Sequence, residues 1–261
     1  MTEKTALVTG ASGAIGKAIV RQLANMAGYK VVMLGRNEER VKTDAEEVRK
    51  TTRNPGVSYV IVDVSDKSEI VDLAQSWQGP LHILVNNAAV TPRDREFTSV
   101  GIELQWATNV LGYFWMIRAF EDILKFSAPA RVVNVASYWA GGLDLADPEF
   151  KKRRYNNDVA YRQSKQADRM LTVAFAERFR ENRITVNACH PGDVNSVLSN
   201  NLGFGGSDSP DTGARTPVWL ATGDEGGLET GKYFEFKKES PCQFSRNRKE
   251  IEKLFDICSE Y

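Results

Sequence analysis

Short apolar runs rich in β-branched residues recur along the chain, and longer stretches with helical spacing separate them. The runs are TALVTG (5–10), YKVVMLG (29–35), SYVIVDV (58–64), LHILVNNA (81–88), RVVNVAS (131–137) and RITVNACH (183–190). Near-continuous hydrophobicity of this kind predicts strands buried on both faces, as in a parallel sheet covered by helices. Ile15, Ile19 and Leu23, with Ala18 and Val20 beside them, carry a helical spacing after the first run. Asp66 with Glu69 three residues on predicts another helix start, an N-cap followed by an acid. Helical patterns extend from Glu96 to about Ser127 and from about Val159 to Asn182, and KYFEFKK (232–238) reads as a last strand. This alternation predicts an α/β fold, a doubly wound parallel β-sheet with helices on both faces. No repeat, low-complexity tract or Pro/Ser linker interrupts it, so one domain over 1–261 is expected.

Two segments break the rhythm, residues 138–158 and the Gly-, Ser-, Asn- and Asp-rich stretch 195–214. Loops this long in a compact domain are usually functional covers or disordered. In a doubly wound sheet they emerge where ligands bind, beyond the carboxyl ends of strands.

Composition narrows the function classes. Of 261 residues, 42% are hydrophobic, and Lys plus Arg equals Asp plus Glu at 34 each, so no global charge draws the chain to nucleic acid or an anionic membrane. No apolar run approaches the ~18 residues of a membrane span. The opening MTEKTALVTG passes almost directly into a strand and leaves no room for a signal peptide. Three cysteines, Cys189, Cys242 and Cys258, without a CxxC pair suit reduced thiols, so a cytoplasmic location is expected. His82 and His190 are too isolated to suggest a metal site. The basic run Lys151-Lys152-Arg153-Arg154 reads as a solvated insertion, not a nucleic-acid patch, since no basic stripe supports it.

Gly10, Gly13 and Gly16 lie between the first strand and the first helix. Glycines there allow a tight turn, and the N–H groups of the helix start suit a pyrophosphate, so a Rossmann-type dinucleotide site is expected. Ser12, Gly13, Ala14 and Ile15 complete the turn and are expected at the cofactor. About twenty residues beyond Gly16, where an acid would hold an NAD ribose, the chain has Gly35-Arg36. An arginine suits the 2′-phosphate instead, which favours NADP(H) over NAD.

TGASGAIG (9–16), Asp63-Val64, NNAA (86–89), Asn109, Ser137, Tyr161-Arg162-Gln163-Ser164-Lys165 and Pro191-Gly192-Asp193-Val194-Asn195-Ser196 occur in order. Together they resemble the short-chain dehydrogenase/reductase family, from residue 5 to the C-terminus. RRYNNDVAYRQSK, VWLATGDEGGLETGKYFEFKKESP and KEIEKLFDICSEY resemble its retinol-dehydrogenase-like branch, which also contains WW-domain oxidoreductases and protochlorophyllide reductases. The resemblance implies that Asp63 and Val64 contact the adenine and that Asn87 and Ala88 line the ribose region. It also implies that Pro191, Gly192, Val194 and Ser196 hold the nicotinamide. Two positions depart from the family pattern: the middle glycine stands at Gly13 rather than at Ala14, and Ala89 replaces the last glycine of NNAG.

Tyr161 and Lys165, four apart in a helical pattern, project from one face. A free tyrosine ionises near pH 10, and a neighbouring ammonium is expected to lower that value and let the phenol act as acid and base. Ser137 would bond the substrate oxygen. The resemblance places Asn109 in a water relay to Lys165. The expected activity is NADP(H)-dependent hydride transfer between nicotinamide and a carbonyl or an alcohol. Leu143, Leu145, Leu198, Leu202 and Phe204 predict a partly apolar small-molecule substrate. The family's subunit contacts through the helices carrying Asn109 and Tyr161 imply a homodimer or homotetramer, which the insertion before Tyr161 would obstruct. The alternatives are a catalytically idle NADP-sensing scaffold and, from the glycine spacing, a relative of the longer sugar-nucleotide epimerases.

Overall fold

The structure is a computed structural model and describes residues 3–261. The chain begins with β1 (Lys4–Thr9), α1 (Ala14–Ala24), β2 (Tyr29–Gly35), α2 (Glu38–Thr52), β3 (Val57–Ile61), α3 (Lys67–Ser76) and β4 (Ile83–Asn86). A π-helical turn, Trp106–Leu111, leads into α4 (Gly112–Ala119), followed by α5 (Glu121–Phe126), β5 (Ala130–Val135), α6 (Asn157–Arg178) and β6 (Ile184–His190). The last elements are α7 (Val197–Asn201), α8 (Pro210–Thr222), β7 (Tyr233–Glu235), β8 (Lys238–Glu239) and α9 (Arg248–Glu260).

The sheet order is β3-β2-β1-β4-β5-β6-β7-β8. Every pairing is parallel except β7 with β8. Of the central strands, β4 is buried throughout and β6 at all but Thr185, as their largely apolar sequences require. One face packs α1, α2 and α8 around Ile19, Leu23, Val41, Val48 and Leu220. The opposite face packs α3, α4, α6 and α9 around Ile70, Phe114, Phe175, Leu254 and Phe255. Strand order reverses between β1 and β4, which opens a crevice at the carboxyl end of the sheet.

Two sequence expectations need correction. The segment from Glu96 is not helical until after Glu103. Residues 97–103 close a small antiparallel turn, with Phe97 bridged to Glu103 and the Thr98 N–H bonded to the Ile102 carbonyl at 2.8 Å. The buried Glu103 carboxylate then accepts from the N–H groups of Gln105 and Trp106 and starts the helix. KYFEFKK is likewise not one strand. Phe236 and Lys237 have φ values of 49° and 62°, the pair of left-handed residues that a tight hairpin turn requires, and the chain folds back as β8. The Asp66 expectation holds: its carboxylate accepts from the Ser68 N–H and caps α3.

The basic insertion folds around Asp147. Its buried carboxylate accepts from the backbone N–H groups of Lys151, Lys152 and Arg153, which leaves the two lysine side chains on the surface. No helix among the described residues is long and apolar enough to cross a membrane.

Candidate active site

A cleft of about 1190 Å³ runs across the carboxyl end of the sheet. At one end stands the glycine turn. Gly10 takes a φ of 62°, and a Cβ on it would stand 2.7 Å from Ala88 Cα. The turn therefore closes directly against the end of β4. Gly16 is tighter still: its Cβ would lie against the Gly10 carbonyl oxygen and 2.8 Å from Asn87 Nδ2. Gly16→Ala is expected to destabilise the chain by about 1–3 kcal/mol through overpacking. Denaturant unfolding without nucleotide checks this, and an unchanged midpoint would contradict it.

Gly13 resolves the unusual spacing. It is the N-cap of α1 with extended backbone (φ −74°, ψ 164°), and it is exposed. Any residue can adopt that conformation, so the glycine at 13 relieves crowding against the Gly10 carbonyl without supplying a special φ. Ala14 is the first helical residue, and its methyl costs the turn nothing. No side chain caps α1 and no acid lies in its first turn. Its leading N–H groups are therefore free for an anion, and a pyrophosphate fits there.

Around the turn, Ser12, Ile15, Arg36, Asp63, Val64, Asn87 and Ala88 all line the cleft. The Ser12 hydroxyl is buried without a partner. Arg36 is largely exposed, 4.0 Å from the Asp63 carboxylate, which itself accepts from the Ser65 N–H and hydroxyl. Arg40, which the sequence reading passed over, donates to the Ser12 carbonyl at 2.7 Å and lines the same wall. The Asn87 amide donates to the carbonyls of Thr9 and Gly10, so it clamps the ends of β1 and β4 together.

Across the cleft, Ser137 follows β5, and Tyr161 and Lys165 rise from α6. Asn156 starts α6 by accepting from the Val159 N–H, which fixes the register of both residues. Ser137, Tyr161 and Lys165 are all buried. The Ser137 hydroxyl accepts from the Trp139 N–H at 3.0 Å and stands near enough to the Tyr161 phenol to favour its ionised form. Burial pushes the Tyr161 phenol up to about 12, with the carboxylates of Asp168 and Asp193 acting in the same direction against the Ser137 hydroxyl. This corrects the expectation of a lowered value. Lys165 does not offset the burial: its Nζ donates to Asp168 Oδ2 at 2.8 Å and to the Val135 carbonyl at 3.1 Å, and lies 5.9 Å from the centre of the Tyr161 ring.

Asn109 sits fully buried in the π-helical turn. Its side chain is spent on the backbone of Val90, accepting from the N–H at 2.8 Å and donating to the carbonyl at 3.0 Å. It therefore fixes the loop after β4, with longer contacts to Gln105 and Ser164 and, among the described residues, no direct hydrogen bond to Lys165. Beyond β6, Pro191, Gly192, Val194 and Ser196 border the cleft. Gly192 has a φ of 107°, and its missing Cβ makes room for the Asp208 carboxylate, which accepts from the Asp193 N–H. Ser196 caps α7 through a reciprocal bond pair with Ser199.

The apolar wall differs in part from expectation. Leu198 and Phe204 line the cleft, with Phe204 stacked on Trp139 at 5.2 Å between ring centres. Leu143 and Leu145 instead pack against the core, and Leu202 stands outside the lining. Arg169 was also missed. Buried behind Ser137, it donates to the Ser137 carbonyl and lies 3.5 Å over the ring of Tyr233.

Comparison with known proteins agrees with this geometry. The profile of the short chain dehydrogenase family matches residues 4–203. Human retinol dehydrogenase 13 is 31% identical over 273 residues, covering 97% of this chain and 82% of its own length. The chain belongs to the short chain dehydrogenase family. Within it, human retinol dehydrogenase 12 is 33% identical, covering 98% of this chain and 85% of its own, so this short chain dehydrogenase lies in the retinol-dehydrogenase-like branch and is an oxidoreductase. Among solved structures, an uncharacterized protein from Mycobacterium paratuberculosis superposes with a TM-score of 0.81 at 24% identity, covering 99% of this chain and 94% of that one. The Pseudomonas aeruginosa RhlG/NADP active-site complex gives 0.72 at 25% identity, covering 90% and 95%. These likenesses accord with the eight-stranded doubly wound sheet.

Proposed function

We propose that this short chain dehydrogenase is an NADP(H)-dependent carbonyl reductase and alcohol dehydrogenase working at the Ser137–Tyr161–Lys165 cluster. The observation that carries this reading is one cleft lined at one end by an uncapped helix start and at the other by a buried serine–tyrosine pair. A bound nicotinamide supplies or accepts the hydride. Ser137 holds the substrate oxygen, and Tyr161 delivers the proton to it as the carbon is reduced. With the phenol held up near 12, Tyr161 stays protonated at neutral pH and is a ready donor. Asn109 anchors the loop through Val90, and Arg169 anchors the serine from behind.

Arg36, Arg40 and the unpartnered Ser12 hydroxyl support NADP over NAD, because two guanidinium groups and a hydroxyl suit a 2′-phosphate. The RhlG neighbour is solved with NADP and a Brucella melitensis 3-ketoacyl-(acyl-carrier-protein) reductase with NADH, so the arginines and not the fold carry the preference. Arg36→Ala and Arg40→Ala are each expected to weaken NADPH binding by about 1.5–3 kcal/mol, the range for a charge-assisted hydrogen bond. NADH binding stays unchanged. Fluorescence titration with both nucleotides measures this, and an equal loss for the two would overturn the preference.

The Trp139–Phe204 stack and Leu198 favour a partly apolar small-molecule substrate. A retinoid-like or other lipid aldehyde fits that wall as well as a smaller aryl ketone does. Turnover of such a carbonyl panel with NADPH tests the reading. A homodimer or homotetramer of this chain would use faces other than those of α4 and α6 that α9 covers. The location proposed is cytoplasmic.

A further inference from the structure

Lys165 stands between two acids on one helix. Tyr161 lies one turn toward the N-terminus of α6 and Asp168 one turn toward its C-terminus. The ammonium is 2.8 Å from the Asp168 carboxylate, and both side chains are almost completely buried. Such a pair needs a reason. Taking both charges out of water is costly, and apolar residues of similar size often serve stability as well. Asp168 is also imperfectly served, since its second oxygen, Oδ1, is buried without a hydrogen-bond partner.

We propose that Asp168 is a positioning residue of the reaction: its carboxylate draws the Lys165 ammonium inward and balances its charge, which keeps Tyr161 a proton donor and biases the site toward carbonyl reduction. This rests on the reading of Tyr161 given above. An isolated ammonium beside a phenol stabilises the phenolate. An ammonium paired with a carboxylate presents a dipole instead, and its pull on the phenol falls steeply with distance. The groups around the pair do not replace the missing charge. Tyr113 from α4 faces Lys165, with the ammonium 5.0 Å from its ring centre, and its hydroxyl donates to the Val135 carbonyl. Cys189 from β6 faces Lys165 and Cys258 from α9 faces Asp168, and burial raises both thiols, so they stay neutral. Asp193 beyond β6 adds a second negative charge facing Tyr161. The direction in Lys165 agrees: burial opposes its charge, but Asp168 overcomes this and holds the ammonium ionised.

The test is the ionisation of Tyr161, read without substrate. Ultraviolet difference titration of tyrosinate, with Tyr161→Phe subtracted, isolates the one phenol in the NADP-bound protein. Asp168→Asn keeps the shape and removes the charge. Its Tyr161 midpoint is expected to fall by at least one pH unit, a tenfold rise in phenolate at any pH below both midpoints. Asp168→Glu, which restores a carboxylate, should return the midpoint toward wild type. An Asn variant that titrates as wild type would overturn the role of Asp168. Should Asp168→Asn not fold, Asp168→Ser removes the same charge in a smaller side chain and carries the same expected fall; a Ser variant that titrates as wild type overturns the proposal, as does a wild-type midpoint at or below that of free tyrosine, about 10. Loss of turnover in Tyr161→Phe is a separate measurement. If that variant stays active the function reading fails, whereas an unmoved titration with an inactive Tyr161→Phe removes only Asp168.

Discussion

Tyr161→Phe is expected to lose carbonyl reduction by about 10²–10⁴-fold, the range that a positioned proton donor contributes, while it folds and binds NADPH as the wild type does. The substitution removes one oxygen and leaves the buried ring in place, so its effect on packing is small. Two losses follow at once. The substrate oxygen has no acid to complete the carbinol, and Ser137, still held by the Trp139 N–H, has no phenol beside it. For the wild type the sign of the pH dependence follows from the raised phenol. Reduction needs the protonated form, so its rate holds through neutral pH and falls only as the pH approaches about 12. Alcohol oxidation needs the phenolate and rises over that same interval. Initial rates with NADPH, a thermal melt and a nucleotide titration check the three parts. A loss below tenfold would show that another group carries the proton.

The largest stability effect is expected far from the cleft, at Phe255. Its ring packs on Phe114 of α4 at 5.0 Å and on Phe175 of α6 at 5.3 Å, and Arg178 lies 3.5 Å over it. With Ile251, Leu254 and Cys258 it seats α9 on the outer face of the helix that carries Tyr161 and Lys165. Phe255→Ala leaves a cavity where three aromatic side chains meet, and about 3–5 kcal/mol is expected to be lost. Phe126 is the control. It is 85% exposed, and Phe126→Ala should change stability by no more than about 0.5 kcal/mol. Denaturant midpoints of the two variants compare them directly, and equal shifts would mean that α9 is not part of the core. Because α9 also brings Cys258 up to Asp168, its loosening would admit water to the Lys165–Asp168 pair.

Much of this arrangement is legible in the residues alone. The six apolar runs are strands because a sheet covered on both faces tolerates little polarity, and Gly10 and Gly16 announce a turn that closes on β4. The misreadings have local causes. Phe97, Val100 and Ile102 mimic a helical spacing, but Gly101 takes a φ of 83° and turns the chain back. In KYFEFKK, nothing in the types of Phe236 and Lys237 signals left-handed backbone, which glycine or asparagine ordinarily supplies. Asp168 and Arg169 were illegible for another reason. Charged residues inside a helix read as its solvent face, and only the packing of α6 against β5 and α9 buries them beside the cleft. The spacing of Lys165 to Tyr161, four residues before it, is a recognisable pattern, whereas Asp168, three residues after it, carries no such signal. Burial of the phenol, with Asp168 adding to it, reverses the expected direction.

The central claim is that hydride passes to a carbonyl carbon in this cleft with Tyr161 supplying the proton. A single-turnover reaction with NADPH carrying deuterium at both hydrogens of the nicotinamide C4, run on an apolar aldehyde or aryl ketone and read by mass spectrometry, measures it most directly. The wild type should place deuterium on the carbinol carbon, and Tyr161→Phe, saturated with the same nucleotide, should place almost none. Equal deuterium transfer by the two proteins, or none by a wild type that binds NADPH tightly, would contradict the claim.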